Sequence, residues 1–394
     1  MSGADVEVLD DVDALRSCDS SDMLRAVATS SAQVRASLTA VREAPLGDLF
    51  LDGRPRAVIV TGMGGSGISG DVLAAVAGAG CPVPVIVHRG DGLPGWVGAA
   101  DLVVAVSCSG RTPETLSALT EAGRRGARLV GVGTADTPLE RACLQGRGVF
   151  VPVVKELSPR SSLWALAVPV LVVAERLGLL GLGPDLGDLE AAAGRLETIA
   201  ETCRVERDSF SNPAKRLAVE LAGSLPMIWG VGQVGGVAAV RAGAQFAENA
   251  KTPSVVGVLP EAHHNQVVSL DGAMAAESVE RDLFRDRVEE PDPMRLRLLL
   301  VRDSADDPVS AARAEVSVRV AGVRGVPVSE VAAPGGSAVE RLASLIGVLD
   351  YTSVYLALMH GVDPTPIAAI DELKGMLKTA PAGSLEEPHP PSYR

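Results

Sequence analysis

Basic residues are in short supply in this chain of 394: 36 Lys and Arg stand against 49 Asp and Glu, for a formal charge of −13 at pH 7. That balance argues against a nucleic-acid partner, because displacing the counterions of a polyanion takes a basic face. Any anionic ligand must be held by local groups. Lysine is scarce and arginine common, while Ala, Gly and Val dominate. The five cysteines, Cys18, Cys81, Cys108, Cys143 and Cys203, contain no CxxC pair, and their odd number leaves at least one unpaired. Free thiols suit a reducing compartment, so the expected location is the cytoplasm. Residues 1–13 are acidic where a signal peptide would be basic and then apolar. No membrane partner is expected either. The most apolar stretch, residues 163–182, contains Glu175 and Arg176 with Pro169 inside it, and reads as a core helix.

What is present is a globular composition, 47% hydrophobic and 22% charged, in a chain long enough for about two domains. Apolar positions at helical spacing between residues 10 and 42 predict one or two leading helices. The period then changes. Continuous apolar runs at 57–61, 83–87, 102–106, 129–132 and 149–154 are each separated by a helix-length segment, the pattern of a parallel sheet covered on both faces. A connecting helix is expected over 189–203. The alternation restarts with strands at 227–231, 254–258, 296–301 and 326–331 and helices at 236–250 and 307–320. The economical reading is a duplicated α/β unit: a helical extension over 1–52, doubly wound halves over 53–182 and 213–335 joined by 183–212, and closing helices over 336–380. Residues 277–293, dense in Glu, Asp and Arg, read as an exposed excursion, and 381–394, with four prolines, as a disordered tail.

Proton chemistry points to residues 248–265. Glu248-Asn249-Ala250-Lys251-Thr252-Pro253 closes a helical pattern, a short apolar run follows, and Pro260-Glu261-Ala262-His263-His264-Asn265 brings two of the five histidines. A carboxylate at a helix C-terminus faces the unfavourable end of the dipole, and partial burial in a cleft raises its pKa further, which suits a general base. Asn265 or a backbone carbonyl could orient either imidazole for a second proton transfer.

Two loops follow predicted parallel strands, at the end of the sheet where doubly wound folds bind ligands. One is Gly62-Met63-Gly64-Gly65-Ser66-Gly67-Ile68-Ser69-Gly70-Asp71. The other is Ser107-Cys108-Ser109-Gly110-Arg111-Thr112-Pro113-Glu114-Thr115. Glycines such as Gly65 let the backbone approach a phosphate, a following helix N-terminus offers N–H groups, and Ser66, Ser107, Ser109 and Thr112 add hydroxyl donors. Neither loop has the Gly-Lys-Ser/Thr ending of a Walker A motif. His88-Arg89 stands where a dinucleotide fold would carry an acid.

With these loops the sequence resembles the sugar isomerase (SIS) domain family, and more narrowly the bifunctional phosphoglucose/phosphomannose isomerases. The similarity covers most of residues 56–374, through both loops, Ser158-Pro159-Arg160, the Glu248 and His264 segments, and the run containing Gly361-Val362-Asp363-Pro364-Thr365-Pro366. It implies two SIS-type, flavodoxin-like parallel-sheet subdomains with flanking N- and C-terminal helices. It also implies aldose to ketose interconversion of glucose 6-phosphate or mannose 6-phosphate with fructose 6-phosphate through a cis-enediol. Ser66, Ser107, Ser109 and Thr112 match the residues that hold the sugar phosphate, and Arg160 the arginine beside the reacting carbons. Glu248 matches the base, and His264 the ring-opening histidine contributed by the partner subunit of a homodimer, with His263 left open as an alternative. Lys374 resembles the family's C-terminal lysine, and Thr365 the threonine linked to accepting the mannose configuration.

No cofactor or metal is implied, since no His, Cys or Asp cluster has ligand spacing. Arg111 stands where the family usually has asparagine. The second half keeps only Gly230-Val231-Gly232 and no serine-threonine loop, so one phosphate site per chain is expected. The N-terminal extension lies outside what the resemblance explains. Two further readings stay open, a non-catalytic sugar-phosphate sensor and an isomerase of another sugar phosphate, because function lives in the site and not in the fold.

Overall fold

The computed structural model describes residues 7–50, 53–153, 158–275, 294–305 and 307–379. The expected excursion at 277–293 and tail at 381–394 lie outside them. Three leading helices, α1 (Val12–Cys18), α2 (Met23–Ala28) and α3 (Ser30–Glu43), replace the one or two expected. The extra break has a local cause. The Asp19 carboxylate accepts from the Met23 and Leu24 N–H groups and so starts α2 afresh, and Asp22 adopts φ 56°.

The first half then alternates as β1 (Val58–Thr61), α4 (Gly65–Ala77), β2 (Val85–His88), β3 (Leu102–Ser107), α5 (Pro113–Arg124), β4 (Arg128–Gly133), α6 (Pro138–Gln145) and β5 (Val149–Pro152). Its five parallel strands lie in the order β2-β1-β3-β4-β5, with Val58 beside Val85 on one flank and Leu102 on the other. Every residue of β1 and β3 is buried, which is why these strands read as unbroken apolar runs. The order reverses between β1 and β3, so their following loops flank the crevice where such sheets take ligands.

Two helices, α7 (Leu163–Arg176) and α8 (Gly187–Thr202), lead to α9 (Pro213–Leu221), which the sequence reading did not foresee. Its signal was present: Asn212 caps the Ala214 and Lys215 N–H groups and Pro213 opens the first turn. The second half runs β6 (Ser224–Val231), α10 (Gly232–Glu248), β7 (Val255–Leu259), β8 (Arg295–Asp303), α11 (Pro308–Val323) and β9 (Val328–Ala333). Its four parallel strands lie in the order β7-β6-β8-β9, the same winding one strand shorter. The chain closes with α12 (Ala338–Met359) and α13 (Ala368–Thr379).

Helices apolar on all sides belong inside, and two of them lie within the main apolar core. Helix α7 buries every residue from Leu163 to Ala174 and packs on α3 and α4. Helix α12 is long and apolar enough to cross a membrane, yet 94% of its apolar window is buried here, against α8, α9 and α10. Each fully buried Leu or Val on these helices contributes about 1.5–3 kcal/mol. The leading extension is fastened by Lys215, fully buried, whose Nζ donates to the carbonyls of Leu9, Val205 and Arg207 and lies 5.4 Å from the Tyr355 ring centre. Burial lowers the pKa of that ammonium, and nearby Asp10 pulls it back.

Candidate active site

The two glycine-bearing loops meet at the sheet reversal. Ser66 sits in the first turn of α4, whose opening turn carries no acidic side chain, so the positive end of the helix faces the loop. Its Oγ accepts the Cys108 N–H at 3.2 Å and ties one loop to the other. Thr112 occupies the N-cap of α5 but makes no capping bond. Instead its Oγ1 lies 2.9 Å from Ser107 Oγ, which lies 3.5 Å from Ser109 Oγ, so three hydroxyls cluster at the mouth of the second loop. Gly110 permits this turn: its φ is +61°, and a Cβ would fall 2.2 Å from Thr137 Oγ1. Ser109 and Arg111 are exposed.

Gly65 carries the cluster onward. A Cβ there would stand 3.0 Å from the Pro159 carbonyl, so the first loop lies against the turn bearing Arg160. Arg160 is 4% exposed, and two of its three guanidinium nitrogens are engaged. Nε donates to Asn249 Oδ1 at 2.8 Å, and one terminal nitrogen donates to the carbonyls of Pro364 at 3.0 Å and Thr365 at 2.5 Å. Its other terminal nitrogen lies 3.9 Å from Glu248 Oε2. That distance is too long for a hydrogen bond, so the carboxylate faces the cation without being consumed by it. Glu248 ends α10 with its side chain 29% exposed. Burial pulls the Arg160 pKa down, while Glu248 and Asp363 pull it back up.

Several supporting residues were not anticipated. Asn249 is fully buried and donates to Ser353 on α12 at 2.9 Å while accepting from Arg160. Arg241 on α10 grips Asp350 on α12 with two nitrogens of one guanidinium edge, at 3.0 and 2.9 Å, and donates to the Arg160 carbonyl. Lys251, at φ +54°, donates to the carbonyls of Glu248, Asn249 and Pro364, closing the end of α10 on the Thr365 loop. Its pKa is lowered by burial and by the Arg160 cation. A lone charge within an apolar helix, as with Arg241 and Asp350, was the available signal, because burial of such a charge demands a partner.

Thr365 presents a buried Oγ1 with no hydrogen-bond partner among the described residues, next to Arg160. The two histidines separate. His263 Nε2 lies 2.7 Å from Ser317 Oγ and its ring meets Trp229 edge-on, so it is engaged within its own chain; burial first, then Arg313 and His264, lower its pKa. His264 is exposed. The expectation that Asn265 orients an imidazole is corrected: its amide donates to Glu261 at 2.9 Å and its carbonyl oxygen caps Gln266, the local bonds of a short turn. Lys374 is exposed on α13, beside Leu373, Met376 and Leu377, all more than half exposed. Among the described residues no hydrogen bond or ion pair links His264 or Lys374 to the Arg160 and Glu248 cluster.

The chain is similar to known sugar-phosphate isomerases. The family model of the bacterial phospho-glucose isomerase C-terminal SIS domain matches residues 210–377. A curated bifunctional phosphoglucose/phosphomannose isomerase of Caldicellulosiruptor bescii is 33% identical over 322 residues, covering 81% of this chain and 89% of that one. One of the same name from Aquifex aeolicus is 28% identical over 82% and 91%. Among solved structures, a hypothetical protein of Thermus thermophilus superposes with a TM-score of 0.65 at 16% identity, covering 94% of each chain, a likeness of fold.

Proposed function

We propose, on the premise that this chain belongs to the bifunctional phosphoglucose/phosphomannose isomerase family, that it interconverts glucose 6-phosphate and mannose 6-phosphate with fructose 6-phosphate. The phosphate is held by Ser66, Ser107, Ser109 and Thr112 between the N-termini of α4 and α5, with Gly65 keeping the first loop close to the Arg160 turn. Glu248 removes the proton from C2 and returns it to C1. Arg160, held rigid from behind, offsets the negative charge that develops on the enediolate oxygens. Thr365 offers its unpartnered hydroxyl to the sugar. The observation that carries this reading is the 3.9 Å approach of Arg160 to Glu248 beside two joined hydroxyl-rich loops.

The expected result is interconversion of all three hexose 6-phosphates in the presence of a chelator, followed by NMR. Fructose 6-phosphate that binds and never interconverts would favour a sensor. A cytoplasmic location belongs to the same proposal, since five free thiols suit a reducing compartment.

The ring-opening step is assigned to His264 of a second copy in a homodimer, with Lys374 assisting. His263 is tied to Ser317 while His264 is exposed, which supports assigning the donated residue to His264. Mixing inactive Glu248→Gln with inactive His264→Ala under subunit exchange is then expected to restore activity, because a mixed pair contains one site with both groups. No restoration at any mixing ratio would contradict the assignment in trans.

A further inference from the structure

The leading helical extension is not explained by the chemistry so far, yet it touches both segments that meet at Arg160. Ser20 lies in the turn between α1 and α2, a turn fixed by the Asp19 cap on α2. Its Oγ donates to Asp363 Oδ2 at 2.5 Å, across 343 residues of sequence. The other oxygen of the same carboxylate accepts the Thr365 N–H at 2.9 Å. Asp363 is thus a bracket with the extension on one side and the Thr365 loop on the other.

On α3, buried Gln33 does the same for the Arg160 turn. Its Nε2 donates to the Ser161 carbonyl at 2.7 Å and its Oε1 accepts the Ala165 N–H at 3.2 Å, so one amide spans the junction between that turn and α7. Ser37 adds a bond to the Ala165 carbonyl at 3.2 Å. The two braced segments then join through Arg160, which donates to the Pro364 and Thr365 carbonyls.

We infer that the extension is part of the catalytic apparatus, with Ser20 and Gln33 as positioning residues that set where the Thr365 hydroxyl and the Arg160 guanidinium stand relative to the sugar. Neither touches substrate. Both act at the end of the sugar where the reacting carbons lie, so the choice between C2 configurations depends on them. A misplacement of about 1 Å is enough to be felt in such a site. The inference rests on the proposed isomerase reading.

The test uses the full chain and two readouts that do not depend on how much of a sample is folded. One is KM for fructose 6-phosphate. The other is the initial ratio of mannose 6-phosphate to glucose 6-phosphate formed from it. Ser20→Ala removes a surface hydroxyl and is expected to lower the melting temperature by at most a few degrees while shifting the ratio or KM by about threefold or more. Asp363→Ala, which removes both bonds, gives at least the same shift, Ser20→Thr keeps the wild-type values, and Gln33→Met raises KM. Wild-type KM in both Ser20→Ala and Gln33→Met, with the ratio also unchanged where two aldoses form, would overturn the inference and leave the isomerase reading intact. A wild-type chain that turns over none of the three sugars would overturn the isomerase reading and this inference with it.

Discussion

Glu248→Gln is expected to lower kcat for every hexose 6-phosphate that the chain turns over by about 10²- to 10⁴-fold, the span of a general base, with little change in KM. The substitution keeps shape and volume and removes the capacity to take a proton together with the negative charge that faces Arg160. The fold should register it only slightly. The carboxylate makes no hydrogen bond to Arg160 at 3.9 Å, and the end of α10 is held by Asn249 on Ser353 and by Lys251 on three carbonyls. At most a small drop in melting temperature therefore accompanies the loss. Wild-type kcat in this variant would remove Glu248 from the mechanism.

Arg160→Lys is the second large effect. The guanidinium meets Asn249, Pro364 and Thr365 from different edges at once and still presents a nitrogen to Glu248. A single ammonium cannot reproduce that fan of donors. Charge is kept, but at least one buried acceptor goes unsatisfied, at about 1–3 kcal/mol. The displaced cation should reduce kcat by about 10²- to 10³-fold, comparable to losing a donor that stabilises a developing oxyanion. Thermal melts and kcat measured together separate the roles. A lowered melting temperature with intact kcat would leave Arg160 as a clamp and nothing more.

The fold was legible because buried parallel strands leave a continuous apolar signature, as in β1 and β3, and the hydroxyl loops because glycine and serine are concentrated within single turns. The Glu248 position was legible for the same reason, a helix ending in a short motif. What escaped was the bracing. Arg160 and Asn249 are 89 residues apart, Arg241 and Asp350 are 109, and Ser20 and Asp363 are 343. No local pattern announces such pairs, since each is created only when α10, α12 and the leading helices stack. The third leading helix escaped because a side-chain cap, Asp19 on α2, interrupts a periodicity that otherwise runs on.

The most direct measurement is conversion of fructose 6-phosphate in D₂O, read by NMR at C2 of the aldose formed. Proton transfer by a carboxylate through an enediol predicts deuterium at C2 in the wild-type product and the disappearance of that product in Glu248→Gln. Aldose formed by Glu248→Gln as readily as by the wild type, deuterated at C2 or not, would contradict the account.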